Sequence, residues 1–321
     1  MNTIQNKPPV LLFGPAKPVI MGGLSPVFEI FRFTKGDDPA VLELADKARA
    51  VAVSAPGGSI KIDAALMSKL PKLEIVSSFG VGYDHIDVKW AAAHGVVVTN
   101  TPDVLTEEVA DTALGLLLYT LTKLQSSAAG QDFTAATRPM LRGRVVGVVG
   151  LGRIGKAIAT RLRAFDATVV YYGRKQQPDV LYRFYSDLTA MAQDVDVLIL
   201  SLPGGQQTRA LVNAKVLEAL GKKGILINVA RGSVVDEKAL IKALKDRAIL
   251  SAALDVFEDE PNVPRELVEM EHVVLAPHVA SASVHTRQKM DQLVVDNLVA
   301  WAAGRSPLTP VPETPLSQSK S

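Results

Sequence analysis

The segment VVGVVGLGRIGKAIATRLRAF, residues 145–165, constrains the fold of this chain more than any other. A run of small and β-branched apolar residues leads into Gly150, Gly152 and Gly155 in G-x-G-x-x-G spacing, and an amphipathic helical pattern follows. Strand, tight glycine turn and helix in that order open a βαβ unit whose turn binds a dinucleotide pyrophosphate. The first glycine permits the turn, the second lets phosphate approach the backbone, and the third lets helix pack on strand. Amides at the helix start then face the phosphates, aided by the helix dipole. The glycine spacing also arises in loops without a ligand, so its weight comes from the strand before it and the helix after it.

At 321 residues the chain exceeds one ordinary hydrophobic core, which points to two domains. Hydrophobic residues make up 48% and aromatics only 5%, a mixture of Ala, Val, Leu and Ile that suits buried parallel strands covered by helices. A net charge of +2 without long Lys or Arg runs argues against a nucleic-acid or membrane-surface binder and for a small-molecule partner. Cysteine is absent, which excludes disulfides, thiolate metal ligands and a cysteine nucleophile, and no metal site is expected. The apolar run near the start is broken by Gly14 and Pro15, too early for a signal peptide, and the longest apolar stretch, 113–121, is too short for a bilayer. These features are read as a cytoplasmic protein.

β-rich runs alternate with helical patterns almost throughout, as in parallel sheets joined by right-handed crossovers. In the first third, strands are expected at 10–14, 29–33, 50–54, 73–79 and 96–100, with helices near 39–48, 63–70 and 87–93. A long helix follows at 106–124, opening with Glu107, Glu108 and Asp111 at the positive end of its dipole. The polar stretch 125–144 reads as a hinge. Six further strands are expected at 145–150, 168–172, 196–202, 224–230, 251–257 and 273–277, then a helix at 286–303 and a mobile Pro- and Ser-rich tail from 306. The fold class is α/β, with two doubly wound parallel sheets.

An NAD-specific turn places Asp or Glu about 20 residues onward, at the end of the next strand, to bind the ribose 2′-hydroxyl. Here that strand ends in Gly173, Arg174 and Lys175. Two cations in place of a carboxylate suit a 2′-phosphate, so NADPH is expected to be preferred, with NADH used less efficiently. The plainer reading is a pair of solvated loop cations.

Three polar residues lie just beyond the carboxyl ends of expected strands, where open α/β sheets place their ligands: Arg231 after GILINVA, Glu260 after SAALDVFED and His278 after VVLAP. Together they could hold a substrate carboxylate, a proton donor and its orienting carboxylate. Singly, Arg231 is as readily a helix cap or a surface ion-pair partner, and His278 a satisfied loop histidine. Glu258 and Asp259 compete with Glu260 for its place.

At this point the chain resembles the D-isomer-specific 2-hydroxyacid dehydrogenase family. The resemblance is carried by GLGRIG, LPGGQQTRALVN, LINVARGSVVDEKAL, ALDVFEDEP and PHVASASVHTRQ, and in the first half by SSFGVGYDHIDV and TNTPDVLTEEVADTALGLLL. The wording is most similar to the glyoxylate, hydroxypyruvate and hydroxyphenylpyruvate reductase branch. The resemblance implies a flavodoxin-like substrate domain, 1–100 plus 286–321, a Rossmann cofactor domain, 101–285, an interdomain cleft and a homodimer.

By the same resemblance, Arg231 would fork onto the substrate carboxylate and keto oxygen, His278 would protonate that oxygen, and Glu260 would hydrogen-bond the imidazole and favour its protonated form. Cofactor contacts are implied for Thr106, for the turn Gly150, Leu151, Gly152, Arg153, Ile154 and Gly155, and for Leu202, Pro203, Thr208, Val229, Ala230, Asp255 and Ala280. Ser54, with the loop 54–58, and the Val81 and Gly82 amides are implied as substrate contacts. His85 and His272 are expected to face solvent and receive no role. Many relatives carry a Trp-containing stretch where this chain has the shorter, Trp-less AAGQDFTAATRPMLRG, so the resemblance does not extend to the outer wall of the pocket. A phosphoglycerate dehydrogenase and a cofactor-sensing interaction protein of the same fold are the competing readings. The joint presence of Arg231, Glu260 and His278 argues against the second.

Overall fold

A computed structural model of the chain describes residues 7–55, 60–126 and 140–314. In chain order its elements are β1 (Pro9–Phe13), α1 (Pro18–Leu24), β2 (Glu29–Phe33), α2 (Ala40–Glu43), β3 (Ala50–Val53), α3 (Ala64–Met67), β4 (Ile75–Ser78), α4 (Val88–Ala93) and β5 (Val97–Thr99). They continue with α5 (Thr106–Ser126), β6 (Val145–Val149), α6 (Arg153–Arg163), β7 (Thr168–Tyr172), β8 (Arg183–Tyr185), α7 (Leu188–Asp194), β9 (Val197–Leu200), α8 (Ala214–Leu220) and β10 (Ile225–Asn228). A 3-10 turn (Gly232–Val234), α9 (Glu237–Lys245), β11 (Ser251–Leu254), α10 (Arg265–Val268), β12 (Val273–Leu275) and α11 (Val284–Ala302) complete the order. Helix starts follow the sequence: Asp63, Asp87, Asp187, Asn213, Asp236 and Ser283 each accept a backbone N–H from the first turn of the next helix. Two compact units result, one of Met1–Leu105 with Ser283–Ser321 and one of Thr106–Ala282.

The first unit holds a parallel five-stranded sheet in the order β2-β1-β3-β4-β5. Alternate residues of its strands point to opposite faces, and both faces are covered. Leu11, Phe13, Val51, Val53, Val76 and Val98 pack with Val41, Leu66, Met67, Leu70 and Ala91. Val10, Leu12, Ala50, Ala52 and Ile75, on the opposite face, are equally buried. There Ser77 Oγ donates to the Val294 carbonyl of α11. A Cβ on Gly23 would lie 2.5 Å from Val295 Cγ1, so only glycine lets α1 come this near to α11.

The second unit holds a parallel seven-stranded sheet in the order β12-β11-β10-β9-β6-β7-β8. Val149, Leu198, Leu200, Leu226 and Leu254 pack with Met191, Leu217, Leu240 and Leu244 on one face. Helices α5 and α6 pack on each other, and Arg161 of α6 reaches Glu107 Oε2 at 2.8 Å and Asp111 Oδ1 at 2.6 Å on α5. Strand order reverses between β6 and β9, and the glycine turn follows β6 at that switch point, where doubly wound sheets open a crevice for ligands. No helix among the described residues is long and apolar enough to cross a membrane.

Several expectations need correction. The larger sheet has seven strands, because the edge strand β8 is only three residues long and leaves no alternation to read. Helix α1 escaped the sequence reading since its interior carries Gly22 and Gly23 and its N-cap, Lys17, makes no side-chain cap. The tail is tied down as far as Thr314. Asn297, fully buried, donates to the Leu293 carbonyl and to Thr309 Oγ1 and accepts from Thr309 N, while Thr309 Oγ1 donates to the Asn100 carbonyl at 2.6 Å. Val311 N donates to the Val98 carbonyl. Neither His85 nor His272 is a plain solvent group: His85 Nε2 lies 3.2 Å from Ser78 Oγ, and His272 Nε2 is buried. Of the expected hinge 125–144, residues 125 and 126 end α5 and 127–139, most of AAGQDFTAATRPMLRG, lie outside the described residues.

Replacing Asn297 by Ala is expected to leave the Thr309 amide without its acceptor and to cost about 1–3 kcal/mol, the scale of a lost partner for a buried polar group. The urea midpoint of the wild type against Asn297→Ala measures it, and an unchanged midpoint would count against the clip.

Candidate active site

The glycine turn has the stereochemistry its sequence implies. Gly150 takes φ of +94° at the end of β6, and a Cβ there would lie 2.8 Å from Leu202 Cβ. A Cβ on Gly155 would come within 2.1 Å of the Gly150 carbonyl, so the third glycine lets α6 sit against the turn. A Cβ on Gly152 would meet no heavy atom within 4 Å. That open face lies at the start of an 11-residue helix whose N-cap, Gly152, makes no side-chain cap, a cradle that fits a dinucleotide phosphate. Leu151 and Gly155 are buried, Ile154 is half-buried and Arg153 is exposed. Ser201 Oγ donates to the Gly150 carbonyl at 2.7 Å and braces the turn from β9.

Beyond β7, Arg174 and Lys175 are both exposed. Beyond β9, Leu202 packs on the turn, and Thr208 Oγ1 donates to the Pro203 carbonyl at 2.8 Å, closing their loop. Val229 and Ala230 are buried at the end of β10, and Thr106 is half-buried as the first residue of α5.

The polar cluster is assembled from the ends of β10, β11 and β12. Asp255, 1% exposed after β11, accepts from the Val279 and Ala280 amides at 2.8 and 3.0 Å. Burial pushes the Asp255 carboxyl up, and the two amides and the His278 charge oppose that shift. These bonds hold the turn in which His278 takes φ of +54°, a conformation uncommon outside glycine. His278 Nδ1 lies 2.7 Å from Glu260 Oε2, while Glu260 Oε1 accepts from Phe257 N at 3.0 Å. Both carboxylate oxygens are thus engaged. Burial alone raises a carboxylate pKa, but the His278 hydrogen bond and charge, the Phe257 amide and the Arg231 guanidinium outweigh it, and Glu260 is held below its usual 4.5.

Arg231 follows β10 in extended conformation, and its Nη1 donates to the Ala230 carbonyl at 2.8 Å. Asn228, 1% exposed, donates to the Arg231 carbonyl and accepts from Ala230 N, fixing the bend. The chain passes at once beneath the Glu260 loop. A Cβ on Gly232 would sit 1.9 Å from the Phe257 carbonyl carbon, so backbone packs directly on backbone there. Glu237 Oε2 accepts from Glu258 N and holds the same loop from α9.

Arg231, Glu260, His278, Asp255, Ala280 and the glycine turn therefore all belong to the second unit, and of the three reacting candidates Glu260 and His278 touch directly. In the first unit, Ser54 is fully buried, its hydroxyl donating to the Phe13 and Pro15 carbonyls. The loop 54–58 is described only at 54 and 55. Val81 and Gly82 are half-exposed on the loop after β4, where the Val81 carbonyl accepts from Asn100 Nδ2 and Gly80 N donates to Thr101 Oγ1. The supporting residues Asn228, Gly232, Glu237 and Ser201 escaped the sequence reading. Only Gly232 left a mark there, as a glycine directly after a strand-end arginine.

Residues 116–280 match the model of the D-isomer specific 2-hydroxyacid dehydrogenase, NAD binding domain. A glyoxylate/hydroxypyruvate reductase A of Arabidopsis thaliana is 46% identical over 312 residues, 94% of this chain and 98% of the relative. A hydroxyphenylpyruvate reductase of Plectranthus scutellarioides is 42% identical over the same shares. Among solved structures, an NADPH-dependent glyoxylate/hydroxypyruvate reductase from Sinorhizobium meliloti in complex with NADP and malonate superposes with a TM-score of 0.86, at 48% identity, covering 97% of this chain and 98% of that one.

Two outcomes are expected. Gly232→Ala must push the Phe257–Glu258 backbone aside and should cost about 1–3 kcal/mol in denaturant unfolding, as overpacking does. For Glu260, a folded pKa below the usual value means its contribution to stability is complete above pH 4.5 and is lost as pH falls through the folded value. The stability difference between wild type and Glu260→Gln should therefore be present at neutral pH and fade below pH 4.5; a difference that grows on acidification would contradict the assignment.

Proposed function

The chain belongs to the D-isomer specific 2-hydroxyacid dehydrogenase family, and from that premise we propose that it reduces small 2-keto acids to D-2-hydroxy acids with NADPH. Glyoxylate and hydroxypyruvate are the leading substrates and hydroxyphenylpyruvate a further one, as the names of its relatives suggest. The observation that carries the reading is the His278–Glu260 pair, 2.7 Å apart at the strand ends of the unit that bears the glycine turn.

The nicotinamide, when bound, supplies the hydride for the carbonyl carbon. This chain's residues supply the rest. His278, its Nδ1 held by Glu260, presents Nε2 as the proton donor for the keto oxygen, and Glu260 stabilises the charged ring before transfer. Arg231 receives the substrate carboxylate through the planar fork of its guanidinium. The Gly150–Gly155 turn takes the pyrophosphate on the open face at Gly152. Its proposed neighbours are Thr106, Leu202, Pro203, Thr208, Val229, Ala230, Asp255 and Ala280.

Preference for NADPH over NADH is assigned to Arg174, helped by Lys175. Both side chains are exposed, and neither makes a hydrogen bond or ion pair with a described residue, so a 2′-phosphate can take them without breaking an existing pair. The cofactor-domain role goes to the Thr106–Ala282 unit, in line with the family match at 116–280, and the substrate-domain role to the other unit. A cytoplasmic homodimer completes the proposal and is open to sedimentation and fractionation measurements.

Loss of NADPH absorbance with glyoxylate, hydroxypyruvate and 4-hydroxyphenylpyruvate, repeated with NADH, tests the activity. No turnover on any keto acid despite tight NADPH binding would favour a sensing protein instead. His278→Ala should lower turnover by roughly 10²-fold or more, the scale of general acid catalysis, with the NADPH Kd near wild type. An unimpaired His278→Ala variant would remove the histidine from this role. Arg174→Asp should reduce or reverse the preference for NADPH.

A further inference from the structure

The loop that carries Arg174 and Lys175 is pinned at both ends to the glycine turn. At its start, Gly150 N donates to the Tyr172 carbonyl at 2.9 Å. At its far end, Gln177 Nε2 donates to the Leu151 carbonyl at 2.8 Å, and Gln177 N donates to Tyr171 Oη at 2.8 Å. Tyr171 is fully buried, its ring tilted against Phe184 of β8 with centroids 5.4 Å apart, so this anchor cannot drift. The two exposed cations lie in the few residues between these pins.

We propose that Gln177 is a positioning residue for cofactor selectivity, holding the Arg174–Lys175 loop at a fixed spacing from the pyrophosphate turn. The inference rests on the reading of that loop as the 2′-phosphate site and adds what keeps it there. A long exposed arginine recognises phosphate at a cost in side-chain and loop entropy, and a loop already tethered at both ends loses less on binding. The Gln177 tether spans from the loop to the carbonyl of Leu151, inside the turn itself. Only a ligand that engages both places gains from the fixed spacing, by the logic of effective concentration. NADP+ carries a phosphate at each place; NAD+ lacks the 2′-phosphate. Gln177 thereby acts on the choice between the two dinucleotides while touching neither the nicotinamide end nor the keto acid.

Calorimetric titration of the full chain with NADP+ and NAD+ tests this on the wild type, Gln177→Ala, Arg174→Ala and the double variant. Gln177→Ala is expected to weaken NADP+ by about 3- to 10-fold, the range of one hydrogen bond, and to move NAD+ by less than about 2-fold. In the Arg174→Ala background the same change should have little further effect on NADP+, because coupled residues are not additive. Tyr171→Phe, which removes the acceptor for Gln177 N, should act in the same direction and provides a second variant should the first fold poorly. Equal losses for NADP+ and NAD+ would reduce Gln177 to a brace of the glycine turn and overturn the proposal. So would a full Gln177→Ala effect in the absence of Arg174, unless Arg174→Ala itself leaves selectivity intact. In that last case the Arg174 reading fails, and a selective loss in Gln177→Ala would support positioning of Lys175. No selectivity change in any variant would overturn both.

Discussion

A carboxylate that is 1% exposed must have its charge met by donors, and at Asp255 those donors are the amides of Val279 and Ala280. Satisfying this group fixes the path of the chain after β12, and with it the left-handed backbone of His278. The imidazole is then directed onto Glu260, whose second oxygen is occupied by the Phe257 amide. Each bond depends on the one before it. The donor set is almost entirely backbone, which is why the arrangement is fixed by the ends of neighbouring strands rather than by adaptable side chains.

Both sheets are parallel and buried on both faces, so along their strands polar groups have few places to go. Chemistry collects where the strands end. The glycine turn follows β6, the cation pair β7, Arg231 β10, and Asp255 β11, while His278 lies just past β12. Close backbone contacts hold these endings in register. Gly155 against the Gly150 carbonyl and Gly232 against Phe257 leave no room for a side chain.

Most of the larger sheet could be read from the chain, because strands buried on both sides show as uninterrupted apolar runs bounded by turn residues. Among what escaped were short or atypical elements: β8 with three residues, α10 with four, and α1 with paired glycines inside it. The tail misled in the other direction. Its Pro and Ser content resembles that of a mobile terminus, yet Thr309, Val311 and Thr314 find partners on β5, α11 and the residues around them, contacts that no local pattern encodes.

The site divides along the same line. Sequence by itself determined the glycine turn, the cations after β7 in place of a carboxylate, and the presence of Arg231, Glu260 and His278 beyond strand ends, since each is a matter of residue type and local order. Glu258 and Asp259 were as good candidates as Glu260 by composition. The family resemblance singled out Glu260, and tertiary structure shows the physical difference among the three: Glu260 has the Phe257 amide and the His278 ring, while Glu258 pairs with Arg209. Asn228, Glu237 and Gln177 belong wholly to that second category. Their roles consist of hydrogen bonds to backbone groups of other segments, and a backbone group carries no mark in the sequence to show which side chain will reach it.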